Sequence, residues 1–584
     1  MTDSGRRELH RRVRDWIAID PDPETRAEAE SLLAAAEDGD AGASERLRDA
    51  FDGRLSFGTA GLRARLGAGP RRMNRVVVAQ TSAGIAAFLR ARPRTGGTVV
   101  VGHDARVNSE VFARDAAEIL SGAGLDVTLV SGPVPTPILA FAVRHLDAAA
   151  GVMITASHNP PRDNGYKVFL GGPDAGAQVI PPVDREIADQ VERAAALPFA
   201  ALPRSDSYAR TDESLRNAYV AATARSMLAA PQPAGSDPAS TSDGSGAAGE
   251  PLRIAYTALH GVGAGIAERL FAAVGLPAFT SVPEQHRPDG RFPTVDYPNP
   301  EEPGSLDLAY RTAREIGAEL VIANDPDADR LAVAVPDAGA PGGYRRLTGN
   351  ELGLLLGWRA AERERSRALR TGEDPAGTLA CTIVSSPSLR AVAADYGLDY
   401  AETLPGSKWL SRVPGLIFGY EEALGYLTQP AVLRDKDGIA AAAEAAAMAR
   451  ESGSLQGLLD EAGERFGHFA SSQVVIRFDS EREAERIVER VRLDPPAAFD
   501  GVRVTGVRDF SERGLAPEPA NVLAYDLENG SRVMLRPSGT EPKLKVYLDV
   551  FGDRGTATER RRAAAGALLP LERALRAYLE GLRS

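Results

Sequence analysis

Cysteine is almost absent from this chain: Cys381 is the single one among 584 residues. A disulfide framework within the chain is thereby excluded, which fits a reducing compartment. Cys381 lies in the apolar run Leu379–Val384, so it is expected to be a buried structural residue rather than a nucleophile. Long apolar runs are missing too. No stretch of about 18 or more apolar residues occurs, so no membrane span is expected. The opening residues Met1–Arg7 are polar, without the apolar stretch of a secretory signal, and the expectation is a soluble cytoplasmic protein. Positive charge is in deficit: 68 Lys and Arg stand against 80 Asp and Glu, a formal net charge of −12. That argues against nucleic acid or an anionic membrane as a partner. It does not prevent a local basic pocket for a phosphorylated metabolite. What is present is the composition of a globular protein, 43% hydrophobic and 25% charged, long enough for about three to five domains.

Residues 7–50 are rich in Ala, Glu, Arg and Leu and read as helical, with Trp16, Ile17, Leu32 and Leu33 as a buried stripe. A glycine-rich loop, Phe57–Arg63, follows. Apolar strands then alternate with helical stretches: Thr98–Gly102, Val127–Val130 and Gly151–Thr155 as strands, Val111–Ala123 and Ile138–His145 as helices. Alternation of this kind predicts a mixed α/β layer with a largely parallel sheet. The stretch 231–250 is almost all Pro, Ala, Gly, Ser, Thr and Asp and reads as a flexible insertion. The α/β pattern resumes with strands at Leu252–Tyr256, Leu320–Ala323 and Leu331–Val335, and again from about 345 to 460. The last block has strands at Ser472–Arg477, Gly501–Arg508, Arg532–Leu535 and Leu544–Val550 and ends in a helix, an α+β pattern. Four domains are expected, at 1–205, 206–340 (with the insertion 231–250), 341–465 and 466–584.

Two short segments carry the strongest chemical signal. Ser157 stands in Thr155-Ala-Ser-His-Asn-Pro160, at a strand end, where α/β folds place their ligands. His158, Asn159, Pro160 and Pro161 keep the loop from continuing as a helix. The neighbourhood is not the Gly-x-Ser-x-Gly elbow of hydrolases; a capping serine in an ordinary turn is the plain alternative. Asp325, Asp327 and Asp329 alternate in Asp325-Pro-Asp-Ala-Asp-Arg330. In an extended segment such side chains point to one side, and three carboxylates there repel one another unless a cation sits among them. Mg²⁺ prefers oxygen ligands and keeps positions open for phosphate. Apolar strands lead in and out, which favours a held site over a solvated acidic turn. The EF-hand pattern is missing. A phosphorylated serine needs a hard cation beside it, so the pairing points to phosphoryl transfer.

Four further segments are each open to a blander reading. Arg536-Pro-Ser-Gly-Thr-Glu-Pro542, followed by Lys543 and Lys545, offers hydroxyls, turn N–H groups and a guanidinium as a phosphate cradle, or is a hairpin turn. In Gly419–Tyr426 the adjacent Glu421 and Glu422 suit sugar hydroxyls, or form a solvated acidic loop; the nearby Arg434–Gly438 is mostly charge and reads as plain surface. Gly58–Arg63, with Arg65, suits an anion, or is a glycine turn between domains. In Asn164–Lys167, a desolvated Lys167 would shuttle a proton or pair with phosphate, whereas a solvent-facing lysine is the commoner fate.

Together, in this order and over nearly the whole chain, these segments resemble the α-D-phosphohexomutase family of phosphoglucomutases, phosphomannomutases and their relatives. The resemblance implies an α/β architecture of four domains, three mixed α/β and a smaller C-terminal α+β domain, around a central cleft. It implies that Ser157 carries the phosphoryl group and that Asp325, Asp327 and Asp329 bind Mg²⁺ together with an oxygen on Ser157. Arg63, His158, Lys167 and Arg330 would line the reacting end. Glu421, Glu422 and Lys408 would face the sugar, and Arg536, Ser538, Gly539, Thr540 and Lys545 would grip the phosphate that is not reacting. A sugar bisphosphate would be activator and intermediate, a phosphorylated sugar the partner, and the chain a monomer or homodimer.

The chain departs from the family pattern at Pro326, where many members have Gly, at Ala423, where hexose mutases usually have Ser, and at Tyr426, where bacterial phosphomannomutase-type enzymes often have His. Phe57–Arg63, Asn164–Lys167, Glu421–Tyr426 and Asp435–Gly438 resemble the phosphoglucomutase-2 and phosphopentomutase branch, which often has Phe at the position of Ser407. The expected activity is interconversion of a sugar 1-phosphate with its 5- or 6-phosphate, glucose first. Phosphopentomutase, phosphomannomutase and glucose 1,6-bisphosphate synthase are the alternatives. A phosphoserine-dependent phosphatase and a non-catalytic sugar-phosphate binder are the readings of other classes.

Overall fold

Four β-sheets follow one another along the chain. The structure is a computed structural model and describes residues 3–92, 97–229, 251–478, 480–537, 543–552 and 554–582. The expected insertion 231–250 and the phosphate-cradle residues Ser538, Gly539 and Thr540 lie outside the described residues. The rest forms two compact units: one takes the described chain up to Arg346 together with Gly425–Ala447, the other Leu347–Leu424 and the chain from Met448 onward. Among the described residues, no helix is long and apolar enough to cross a membrane.

In the first unit, helices Asp3–Ile19, Pro23–Glu37 and Ala41–Phe51 replace the single helical stretch read from composition. Asp22 and Asp40 separate them by capping, their carboxylates accepting from the N–H groups of Glu24 and Ala43 at 3.0 and 2.9 Å. Trp16 and Leu33 are buried, and Ile17 and Leu32 pack against the same core, which is shared with Val99, Val101 and Ile154 of the first sheet. That sheet has the order Leu62–Arg65, Asp163–Leu170, Ala150–Ile154, Thr98–His103, Asp126–Leu129, Ala209–Arg210. Strands 98–103, 126–129 and 150–154 are parallel, whereas Asp163–Leu170 runs antiparallel to both of its neighbours. Ala150–Ile154 is buried and apolar at every position, as a strand covered on both faces must be.

The second sheet has the order Tyr344–Arg346, Leu331–Pro336, Leu320–Asn324, Ile254–Thr257, Thr280–Ser281. Leu320–Asn324 and Leu331–Pro336 are an antiparallel hairpin that closes with Asn324 opposite Leu331. The acidic segment 325–330 is therefore a hairpin loop, anchored by two buried strands.

In the second unit, Thr378–Thr382 is flanked by parallel strands Asp399–Thr403 and Leu416–Glu421. Cys381 is fully buried there, and burial, then the nearby Glu402, pushes its thiol up to about 12, so it is the inert core residue the sequence predicts. The last sheet is antiparallel, in the order His468–Arg477, Lys543–Gly552, Arg532–Pro537, Leu523–Leu527, Val502–Asp509, Ala498–Phe499. Helix Ala557–Gly581 covers it with Ala564, Leu571, Leu575 and Leu579. An apolar cluster of Ile383, Val384 and Leu404 with Val522, Met534 and Tyr547 joins these two sheets.

Candidate active site

Ser157 sits just beyond the strand Ala150–Ile154 with φ 52°, a left-handed conformation that costs a non-glycine residue energy and persists only where the surroundings hold it. Three bonds hold it. Its N–H donates to Thr155 Oγ1 at 2.8 Å, its Oγ donates to Asp325 Oδ2 at 2.7 Å, and its carbonyl accepts from Arg106 Nη2. His158 Nδ1 lies 3.1 Å from Ser157 Oγ. Burial, then Arg330 and Arg63, hold the His158 imidazole well below the usual histidine range, so the ring beside the serine is neutral.

The three aspartates converge as expected, but not through the alternation of an extended segment. Residues 326–328 turn: Ala328 has φ 56° and its N–H donates to Asp325 O at 2.8 Å. Six residues must close the hairpin, and a turn gathers the carboxylates where an extended segment would spread them. Arg330 N–H donates to Asp325 Oδ1 at 3.0 Å, and Asn324 Nδ2 donates to Arg330 O at 2.7 Å. The Pro326 carbonyl accepts from Val262 N–H at 2.9 Å. A proline serves there because the bond needs a carbonyl and no N–H. Gly438 N–H reaches Ala328 O at 3.2 Å, and a Cβ at Gly438 would lie 2.2 Å from Arg330 O, so only glycine fits.

Asp325, Asp327 and Asp329 are buried, and each offers an oxygen within 4.8 Å of the others. Lys167, on the strand Asp163–Leu170, donates to Asp327 Oδ2 at 2.7 Å and Asp329 Oδ2 at 3.1 Å. Lys436 Nζ lies 3.2 Å from Asp329 Oδ2. Asp327 Oδ1 and Asp329 Oδ1 are buried without a hydrogen-bond partner. A compact all-oxygen set with two unsatisfied anionic atoms fits a small hard cation. Burial, then Asp327 and Asp329, push the Asp325 carboxyl well above its usual range. Burial acts the same way on Asp329, but Lys167, Lys436 and Arg330 outweigh it and hold that carboxyl low.

Arg63, on the strand Leu62–Arg65 whose register sets it opposite Gly165, lies within electrostatic reach of Asp327, Asp329 and Asp325. Gly61, at φ 75°, lets this loop lie against the next strand, since a Cβ there would sit 1.8 Å from Tyr166 O. Lys167 is only 2% exposed, which removes the solvent-facing alternative. Arg330 is half-buried, 3.7 Å from Glu301 Oε2 and 3.9 Å from Asp329 Oδ1. The segment Arg434–Gly438, read from its charge as plain surface, is not surface. Asp435, Lys436 and Asp437 are buried, Asp435 accepts from Gln178 Nε2 at 2.9 Å, and Asp437 accepts from Tyr219 Oη at 2.7 Å and the N–H groups of Ile439 and Ala440 at 3.1 and 2.9 Å.

In the second unit, Glu421 ends the strand Leu416–Glu421 and is half-buried. Glu422 is turned inward: its carboxylate accepts from Thr382 Oγ1 at 3.2 Å and Ser385 Oγ at 3.1 Å, and its N–H donates to Ser385 Oγ at 3.0 Å. Burial, then Glu421, raise its pKa, while Lys545 lowers it. Arg536 and Lys545 face each other across paired strands, both half-buried. Lys408 is half-buried in the short helix Ser407–Leu410; Ser407 beside it is buried, and nothing in the structure explains its replacing Phe. Tyr426, in the first unit, is fully buried.

Three residues escaped the sequence reading. Arg106 donates to Pro160 O at 2.9 Å, Asp163 O at 3.1 Å and Asn159 O at 2.7 Å in addition to Ser157 O. Thr136 and Lys436 each touch one aspartate of the acidic loop. The signal available was faint: Asp104-Ala-Arg106 just after a strand, and Thr136 between two prolines.

An α/β architecture of four sheets, with a buried serine against three buried carboxylates, defines a phosphomutase, an intramolecular phosphotransferase. Known proteins agree. Phosphoglucomutase/phosphomannomutase alpha/beta/alpha domains I, II and III match residues 54–197, 240–339 and 348–466, and the C-terminal domain of that family matches 487–566. The chain is 44% identical to a Haemophilus influenzae protein named "Probable phosphomannomutase", covering 82% of this chain and 93% of that one. It is 34% identical to human phosphopentomutase over 94% and 92% of the two lengths, and 32% identical to Saccharomyces cerevisiae phosphoribomutase over 94% and 93%. A Burkholderia thailandensis phosphoglucomutase/phosphomannomutase family protein shares the fold with a TM-score of 0.64 at 20% identity, covering 90% of this chain and 96% of that one. The open form of Paramecium parafusin, a phosphoglucomutase, also gives 0.64, at 16% identity and the same coverage. The chain belongs to the phosphoglucomutase/phosphomannomutase, or α-D-phosphohexomutase, family.

Proposed function

We propose that this phosphosugar mutase works through phosphorylated Ser157 and Mg²⁺, with glucose 1-phosphate and glucose 6-phosphate as its first substrate pair. The observation that carries the reading is Ser157 Oγ at 2.7 Å from Asp325 Oδ2, in a loop whose other two carboxylates keep an unsatisfied oxygen. Asp325, Asp327, Asp329 and an oxygen on Ser157 would hold the cation, which when bound offsets charge on the transferring phosphoryl group. Transfer breaks the Ser157 Oγ–P bond as a sugar hydroxyl oxygen forms a new O–P bond, giving a sugar bisphosphate. The second transfer returns the other phosphoryl group to Ser157. Lys167, buried between Asp327 and Asp329, is assigned the relay of the hydroxyl proton, passing one of its own to the carboxylate oxygen that accepts from it; His158 keeps a neutral nitrogen on Ser157 Oγ; Arg63 and Arg330 are assigned the phosphoryl oxygens. Such transfers rest mostly on positioning and electrostatics. Glu421, Glu422 and Lys408 are assigned to the sugar, and Arg536 and Lys545, with Ser538, Gly539 and Thr540, to the phosphate that is not reacting.

A second reading, a pentose phosphate as main substrate, is favoured by the relatives named phosphopentomutase and phosphoribomutase, which match over more than 90% of both lengths. Comparing kcat/KM for glucose 1-phosphate, ribose 1-phosphate and mannose 1-phosphate decides the sugar. The glucose ester is expected to lead, and a higher value for ribose 1-phosphate selects the second reading. Intact-mass measurement after incubation with glucose 1,6-bisphosphate tests the chemistry: one phosphoryl group gained, mapping to Ser157, is the expected result. No gain, or release of inorganic phosphate at the rate of sugar conversion, would sink it.

A further inference from the structure

The Oδ2 atoms of the acidic loop are all occupied by the protein. Asp327 Oδ2 accepts from Lys167 Nζ at 2.7 Å and from Thr136 Oγ1 at 2.6 Å; Asp329 Oδ2 is shared by Lys167 and Lys436. The Oδ1 atoms of the same two residues are buried and unsatisfied. Each carboxylate is thus rotated so that one oxygen is spent on the protein and the other left over. For Asp329 the rotation is set by two long, flexible ammonium side chains. For Asp327 it is set partly by a short β-branched hydroxyl with few rotamers.

Thr136 comes from 191 residues earlier in the chain, as the first residue of helix Thr136–His145. It is fully buried and grips Asp327 at two points: its hydroxyl at Oδ2, and its N–H on the Asp327 carbonyl at 3.0 Å. Pro135 and Pro137 on either side fix the local backbone. The two-point grip fixes both the main chain and the side-chain rotation of Asp327, and leaves Oδ1 as its only free acceptor.

We infer that Thr136 is a positioning residue for the cation: its hydroxyl presents Asp327 Oδ1 to the metal, so that metal affinity is set by a side chain outside the acidic loop. This rests on the reading of the acidic loop as the metal site. Outer partners of this kind typically change metal affinity about 10–100-fold when removed.

The test is Mn²⁺ titration of the full chain, with free Mn²⁺ read by electron paramagnetic resonance, so that no turnover is needed. Wild type is expected to take up one Mn²⁺, and Asp325→Asn to lose it. Thr136→Val is expected to bind about 10–100-fold more weakly and Thr136→Ser within about 3-fold of wild type. Thr136→Ala, which adds no methyl group to the pocket, repeats the measurement if the valine variant unfolds early in a thermal melt. Wild-type affinity in Thr136→Val and Thr136→Ala overturns the inference while leaving the metal reading standing. So does a Thr136→Ser protein as weak as the valine variant, because the hydroxyl would then not be the cause. A wild-type chain that takes up no Mn²⁺ overturns the metal reading, and the inference with it.

Discussion

The reacting centre of the first unit and the sugar- and phosphate-directed residues of the second differ in how much the protein itself decides. Ser157, Lys167 and the three aspartates are withdrawn from water, and most of their polar atoms are committed to named partners. Glu421, Lys408, Arg536 and Lys545 are half-buried and keep part of their surface in water, Arg536 and Lys545 facing each other across paired strands. A group held in place before the ligand arrives contributes to the transition state without reorganising. A group left partly in water contributes when a ligand orders it, and so acts on binding. Changes in the first unit should therefore fall on kcat, and changes in the second on KM.

The largest expected effect is from Ser157→Ala, which removes the phosphoryl carrier. A coupled assay should show no mutase turnover above background, and full activity would break the comparison at its root. Next is Arg106→Gln. It leaves Ser157 and the acidic loop in place but removes the grip on four carbonyls of the serine loop. We expect kcat about 10²-fold lower, the scale of a misplacement near 1 Å, with KM within about 3-fold. A KM effect of similar size would blur the division. Arg536→Ala and Lys545→Ala should do the opposite, raising KM roughly 10-fold or more, as for loss of a hydrogen bond to a charged group, with a smaller change in kcat. The smallest effect concerns stability. Asp437 is pushed up to about 6, first by burial, so the folded state holds its proton more tightly than the unfolded chain. Its contribution is present in full below about pH 4 and is lost as pH rises through about 6, at most about 3 kcal/mol. Asp437→Asn should flatten that part of the curve of unfolding free energy against pH; an unchanged slope would count against it.

Much of the centre could be read from the chain because its chemistry is local in sequence. A serine with His and Pro beside it, and three aspartates between apolar strands, announce themselves within six residues each. Thr136 and Arg106 could not be read this way, since their bonds span 191 and 51 residues and the prolines beside Thr136 signal only a turn. The strand Asp163–Leu170 was hidden for a different reason. Its opening Asn164-Gly165 looks like loop, and only its antiparallel pairing with Ala150–Ile154 makes it a strand. The same preference for periodicity over turns made the acidic segment look extended, when the left-handed Ala328 folds it back.

The acidic hairpin loop takes backbone or side-chain bonds from Thr136, Val262 and Gly438, three points spread over half the length of the polypeptide. During synthesis the loop itself emerges from the ribosome more than a hundred residues before Gly438 does. Such distant closures are slow to form. A nascent chain thus carries its serine and its carboxylates for a long interval without the last of the braces that shape them, and the phosphoryl chemistry is gained only when most of the protein has been made.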